Sequence, residues 1–171
     1  MLSPQMLQKL NDQIRHEFYS SYAYLSMAAW FESQDLPGMA NWMRLQSVEE
    51  SAHAHKFFDY VLDRGAEVHL QGLAQPPIRF TSPLEVFEQA LLHERGVTAS
   101  INGLYAQALD DKDFASVQFL DWFVKEQVEE EKNASLVISQ VKRVGNDGAA
   151  LLQLDRELGQ RKAEAAGAEA D

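Results

Sequence analysis

The chain has 171 residues, no cysteine and a formal charge of −11, from 15 basic against 26 acidic side chains. That length suits one domain with a real core. The lack of thiols excludes disulfides, a cysteine nucleophile, zinc ribbons, rubredoxin-type iron and iron–sulfur clusters, so any metal must be held by oxygen and nitrogen. An acidic surface disfavours nucleic-acid backbones, no stretch approaches the roughly 20 apolar residues of a membrane span, and the opening MLSPQMLQKLNDQ lacks the basic start and apolar run of a secretion signal. The expected location is therefore cytoplasmic.

Four long helical patterns and one short one follow in chain order, with nothing that reads as alternating strands, so the expected class is all-α. The first opens at Ser3-Pro4, a cap followed by a proline suited to the first helical turn, and runs to about Gln34. The second runs from about Met39, past Pro37-Gly38, to Arg64 ahead of Gly65. The third opens at Ser82-Pro83 and runs to about Asp110. The fourth starts near Asp113 and ends before Gly145-Asn146-Asp147-Gly148. A short fifth fits Ala149 to Leu158, and the tail AEAAGAEAD is expected to fray. The whole chain, 1–171, reads as one domain, with the bundle over about 4–144, the fifth helix over about 149–158 and the tail over about 160–171.

The seams step by threes and fours, as a bundle requires. Helix one presents Leu7, Leu10, Ile14, Glu17, Ser21, Tyr24, Ala28 and Phe31. Helix two presents Met39, Met43, Gln46, Glu50, His53, Phe57 and Tyr60. Helix three presents Leu84, Phe87, Leu91, Glu94, Thr98, Ile101, Tyr105 and Ala108, and helix four Leu120, Phe123, Gln127, Glu130, Ala134, Val137, Val141 and Val144. Short turns make helices one and two, and three and four, antiparallel. The linker over 66–82 is different. Extended, it reaches about 55 Å, more than the roughly 40 Å of a 27-residue helix. It can run the height of the bundle and set helices two and three parallel.

Six polar side chains interrupt these seams near mid-height: Glu17, Glu50, His53, Glu94, Gln127 and Glu130. A buried carboxylate is costly unless something positive answers it. Glu50 and His53 share a helix face three residues apart. Alone that pattern is common on surface helices, but six such residues at one depth on four seams are not. Two divalent ions would balance the four carboxylates. Oxygen-rich ligation with one imidazole suits iron or manganese, and a redox role favours iron.

The segments EFYSSYAYL around Glu17, EESAH around Glu50 and His53, and FLDWFVKEQVEEEK around Gln127 and Glu130, with the MLSPQMLQKLNDQ opening, resemble the bacterial non-haem ferritins from Met1 to about Leu158. The resemblance implies a ferritin-like four-helix bundle with one long crossover plus a short fifth C-terminal helix. It implies a 24-mer shell, a homo-oligomer that oxidises Fe²⁺ with O₂ or H₂O₂ and stores ferric mineral inside. That would be ferroxidase activity at an intra-subunit di-iron centre, in a protein of iron homeostasis. Carried over, the first iron is held by Glu17, Glu50 and His53. The second is held by Glu94 and Glu130, with Glu50 bridging and Gln127 close. A third iron position matches Glu49, Glu126 and Glu129, with Glu130 shared. Tyr24 matches the tyrosine that supplies an electron beside the pair. Trp122 is expected mainly to pack, and His16, His55, His69 and His93 lie off the seams.

Other members of the superfamily fit less well. A haem-binding bacterioferritin would carry Glu-x-x-His on helix four, where this chain has Gln127-x-x-Glu130, and an interface methionine, where Ser51 and Ala52 follow Glu50; no haem is expected. Miniferritins build their site between subunits, and rubrerythrins need a cysteine-ligated iron. From another class, a metal-free helical scaffold would retain no iron. With an imidazole on one side only, the Glu94–Glu130 iron is expected to be the weaker bound.

Overall fold

The structure, a computed structural model, describes residues 1–163. Of the tail expected to fray over about 160–171, residues 164–171 lie outside the described residues, while Arg161 is held in place by Asn41, Gln46 and Glu49. Five helices follow in order: α1, Pro4–Ser33; α2, Pro37–Asp63; α3, Pro83–Asp110; α4, Phe114–Val144; and α5, Gly148–Leu158. Side-chain caps explain most of the starts. Ser3 Oγ accepts from Met6 N–H at 3.1 Å, Ser82 Oγ from Glu85 N–H at 3.2 Å, and Asp147 Oδ1 from Ala149 N–H at 2.9 Å. Each satisfies an amide that a helix start leaves unpaired.

α2 begins two residues before the sequence reading, at Pro37, because proline suits a first turn whose amide has no partner. Leu36, the residue before it, offers no cap. The cap arrives from far along the chain, since the buried Asp155 of α5 accepts from Met39 N–H at 2.8 Å. The approach is tight. A Cβ on Gly38 would lie 1.7 Å from the Asp155 carbonyl oxygen, so only glycine lets α5 dock there.

Cross-helix contacts fix the directions. Ser21 meets Ser47 and, on the same pair, Arg44 meets Glu32, which sets α1 against α2 antiparallel. Lys9 Nζ reaches Gly103 O at 3.1 Å and Ser20 Oγ lies 2.6 Å from His93 Nε2, which sets α1 and α3 antiparallel. Helices α2 and α3 are therefore parallel, as the linker length implies. The linker climbs α1: His69 N–H donates to Asn11 Oδ1, and Ser26 Oγ donates to Pro77 O. Between positions 11 and 26 α1 rises about 22 Å.

The apolar interior falls into two clusters. One gathers Phe31, Met39, Met43, Phe87 and Val137 around α5's Leu154. The other gathers Met6, Leu10, Ile14, Phe57, Ile101 and Phe123 at the opposite end. Phe57 and Phe123 stack at 4.1 Å, and Tyr60 on Phe119 at 3.8 Å. The layer between the clusters is polar. Among the described residues no helix is long and apolar enough to cross a membrane.

Candidate di-metal centre

The polar layer is the set of six that interrupted the seams. Glu17, Glu50, His53, Glu94, Gln127 and Glu130 are each at most 5% exposed. One ligand atom each from Glu17, Glu50 and His53 lies within 4.8 Å of the other two. His53 Nδ1 is 3.8 Å from Glu50 Oε2. Glu17 Oε2 and Glu50 Oε2 are buried without a hydrogen-bond donor. Buried acceptors left like this cost free energy. A divalent cation is the partner that this donor set fits.

The other half is held by neutral donors. Tyr24 O–H donates to Glu94 Oε1. Gln127 Nε2 donates to Glu94 Oε2 at 3.3 Å and is 3.2 Å from Thr98 Oγ1. Gln46 Nε2 donates to Glu130 Oε2 at 2.7 Å. Glu94 and Glu130 stand outside the tight Glu17–Glu50–His53 group, and both repel charge on Glu50. The layer thus has two unlike halves, one with an imidazole and one without.

Burial governs the protonation of the whole layer. It raises the Glu17 carboxyl to about 7 and Glu130 to about 8, with neighbouring carboxylates adding to the rise. It raises Glu50 well above the carboxylate range, with Glu94, Glu17 and Glu130 contributing, and raises Glu94 as well. Burial also lowers His53 to about 4, helped by the Lys56 charge. A neutral imidazole beside carboxyls that hold their protons is ready to exchange those protons for a metal, because ligands must be deprotonated to bind.

The third set behaves differently. Glu126 Oε1 lies 3.9 Å from His53 Nε2. Glu49 Oε2 is held at 2.8 Å by Arg161 Nη2, and Glu129 is exposed. The three do not share the tight convergence of Glu17, Glu50 and His53. Trp122 is not a core residue: it is 38% exposed, with Lys56 Nζ 3.2 Å above its ring and its ring 5.3 Å edge-on from His53.

Other residues also support the layer. Gln13 Nε2 donates to Glu17 Oε1 at 2.8 Å, and its own Oε1 accepts from Ser100 Oγ at 2.5 Å. Gln13 precedes Glu17 by one helical turn, the spacing that lets side chains meet. Ser20 is fully buried at His93, while Ser21, on the expected seam, is part-buried against Ser47. His93 is edge-on to Tyr24 with centroids 6.4 Å apart, so it braces the ring that holds Glu94. A cleft of about 320 Å³ between α3 and α4, lined by Thr98, Asn102, Gln127 and Glu131 among others, ends on Gln127.

The Ferritin-like domain family model matches residues 7–144. The bacterial non-heme ferritin of Staphylococcus aureus (strain USA300) is 40% identical over 161 residues, 94% of this chain and 97% of that protein. Its counterpart in Staphylococcus haemolyticus is 38% identical over the same share of each. A crystal structure of an open pore ferritin from the archaeon Archaeoglobus fulgidus superposes with a TM-score of 0.94 at 46% identity, covering 95% of this chain and all of that one. A humanized archaeal ferritin gives 0.95 at 45% identity, covering 96% and all. The chain belongs to the ferritin family.

Proposed function

We propose that iron storage by this ferritin proceeds through oxidation of Fe²⁺ to Fe³⁺ at a di-iron centre inside each subunit. Glu17, Glu50 and His53 bind the first ion, and Glu94 and Glu130 the second, with Glu50 between them and Gln127 alongside. The observation that carries the reading is the pair of buried, donor-less oxygens on Glu17 and Glu50 beside a neutral His53. Iron is the substrate. Two Fe²⁺ each give one electron, and O₂ with two protons leaves as H₂O₂; with H₂O₂ as oxidant, two protons more give two waters. Carboxylates stabilise the extra charge of the ferric product, and the Tyr24 hydroxyl, which donates to Glu94, positions that carboxylate for the second ion. Glu49, Glu126 and Glu129 then receive iron on its way to the mineral. No haem takes part. The working assembly is a 24-subunit shell, which would elute near about 460 kDa for chains of 19.3 kDa.

Stopped-flow mixing of the metal-free protein with Fe²⁺ in air tests this. Glu50→Ala should slow the fast phase by about 10²-fold or more, since it removes the shared ligand, while circular dichroism stays native. An unchanged fast phase in a folded variant would overturn the assignment.

A further inference from the structure

Just past α5 the chain turns back along α2. Asn41 Nδ2 donates to the carbonyls of Gly159 at 3.5 Å and Arg161 at 3.3 Å, which fixes this stretch in place. Arg161 then lays its guanidinium over the Trp42 ring, 4.9 Å from the centroid. One of its nitrogens bonds Gln46 Oε1 and another Glu49 Oε2.

We propose that Arg161 is a positioning residue for the Glu94–Glu130 metal position, acting by fixing the Gln46 amide so that its NH₂ can only face Glu130. This rests on the di-iron reading above. A guanidinium has five donors and no acceptor. The Gln46 atom turned towards it must therefore be the carbonyl oxygen, and the other end of the amide must be the donor. That donor is 2.7 Å from Glu130 Oε2. One oxygen of Glu130 is thereby held, and the other is left for a metal. Without Arg161 the amide can rotate by half a turn and present its carbonyl to Glu130, where it repels the ionised form that a metal needs.

Two further observations support the arrangement. Gln46 is fully buried, so an amide with no fixed partner would cost free energy in either orientation. Arg161 is itself part-buried, with a side chain 21% exposed, and its two contacts to Gln46 and Glu49 hold the guanidinium against α2. The residue lies outside the four-helix bundle, yet it reaches a ligand through a single intervening side chain. Groups that hold a metal ligand from behind commonly contribute 10- to 100-fold to metal affinity.

The test is anaerobic calorimetric titration of the full-length, metal-free protein with Zn²⁺ alone, which removes redox chemistry from the readout. The wild type should take up at least two ions per chain. Arg161→Ala should weaken the second ion about 10-fold or more and leave the first within about 2-fold. Arg161→Lys, which also only donates, should recover most of the loss. Adding Arg161→Ala to Gln46→Leu should cost nothing beyond Gln46→Leu, since the arginine acts through that amide. The proposal is overturned if folded Arg161→Ala keeps both affinities, if both ions weaken equally, or if the double variant loses the sum of the two single effects. A wild type that binds no ion through His53 would instead overturn the di-iron reading, and this proposal with it.

Discussion

Glu130→Gln should stabilise the metal-free protein at alkaline pH and leave it unchanged in acid. The carboxyl is buried, and burial with the Glu94 charge lifts it from its ordinary 4.5 to about 8. The folded state therefore holds this proton more tightly than the unfolded state. Below pH 4.5 both states are protonated and the group contributes no pH dependence. As pH rises from 4.5 to about 8 the unfolded chain loses the proton first, and folded stability falls. At about 1.4 kcal/mol per pH unit, the loss reaches about 3 kcal/mol at pH 7 and at most about 5 kcal/mol at pH 8. Glutamine keeps the shape, and its carbonyl still accepts from Gln46, so the variant escapes that loss. Denaturant melts of metal-free wild type and variant, at pH 5 and pH 8, measure the difference directly. We expect a gain at pH 8 several times that at pH 5. A gain that does not change with pH, or a variant less stable at pH 8, would refute the placement of Glu130 in a buried, carboxylate-rich layer.

Other consequences follow from the same geometry. His53→Ala should weaken the first Zn²⁺ or Fe²⁺ by about 10²-fold in an anaerobic titration and spare the second, because the imidazole serves only the Glu17–Glu50 half; equal weakening of both would contradict the two unlike halves. Tyr24→Phe removes the hydroxyl that bonds Glu94 and should slow ferrous oxidation several-fold while two-ion binding persists, which stopped-flow and calorimetry separate. Gly38→Ala puts a methyl into the Asp155 carbonyl and should cost about 1–3 kcal/mol in thermal unfolding, with Met39 N–H losing its cap; an unchanged melt would mean that α5 is not docked on α2.

The site was legible because a carboxylate on an apolar seam breaks a pattern that burial otherwise enforces. Glu17, Glu50, Glu94 and Glu130 each did so, at a depth that helix length alone made common to four elements. The residues that hold those carboxylates were not legible in the same way. Gln13 lies one position off its seam, and its burial depends on Ser100 of another helix. Ser20 and Ser21 exchange expected roles because two adjacent serines differ by only about 100° of helix turn. Arg161 sits in the stretch after the last helix, where no periodicity announces a contact with Gln46. α2 starts two residues before Met39 because Pro37 suits an uncapped first turn, and the carboxylate that accepts from Met39 N–H, Asp155, lies over a hundred positions away, where no local signal announces it.

On the proposed reading, one layer of this bundle binds two iron ions through Glu17, Glu50, Glu94, Glu130 and the His53 imidazole. Crystals soaked anaerobically in Fe²⁺ and then exposed to air for timed intervals test it most directly. Iron should appear first between Glu17, Glu50 and His53, then as a second ion between Glu50, Glu94 and Glu130, with density at Glu49, Glu126 and Glu129 only after oxygen is admitted. Iron confined to exposed acidic side chains, with none at His53, would contradict it.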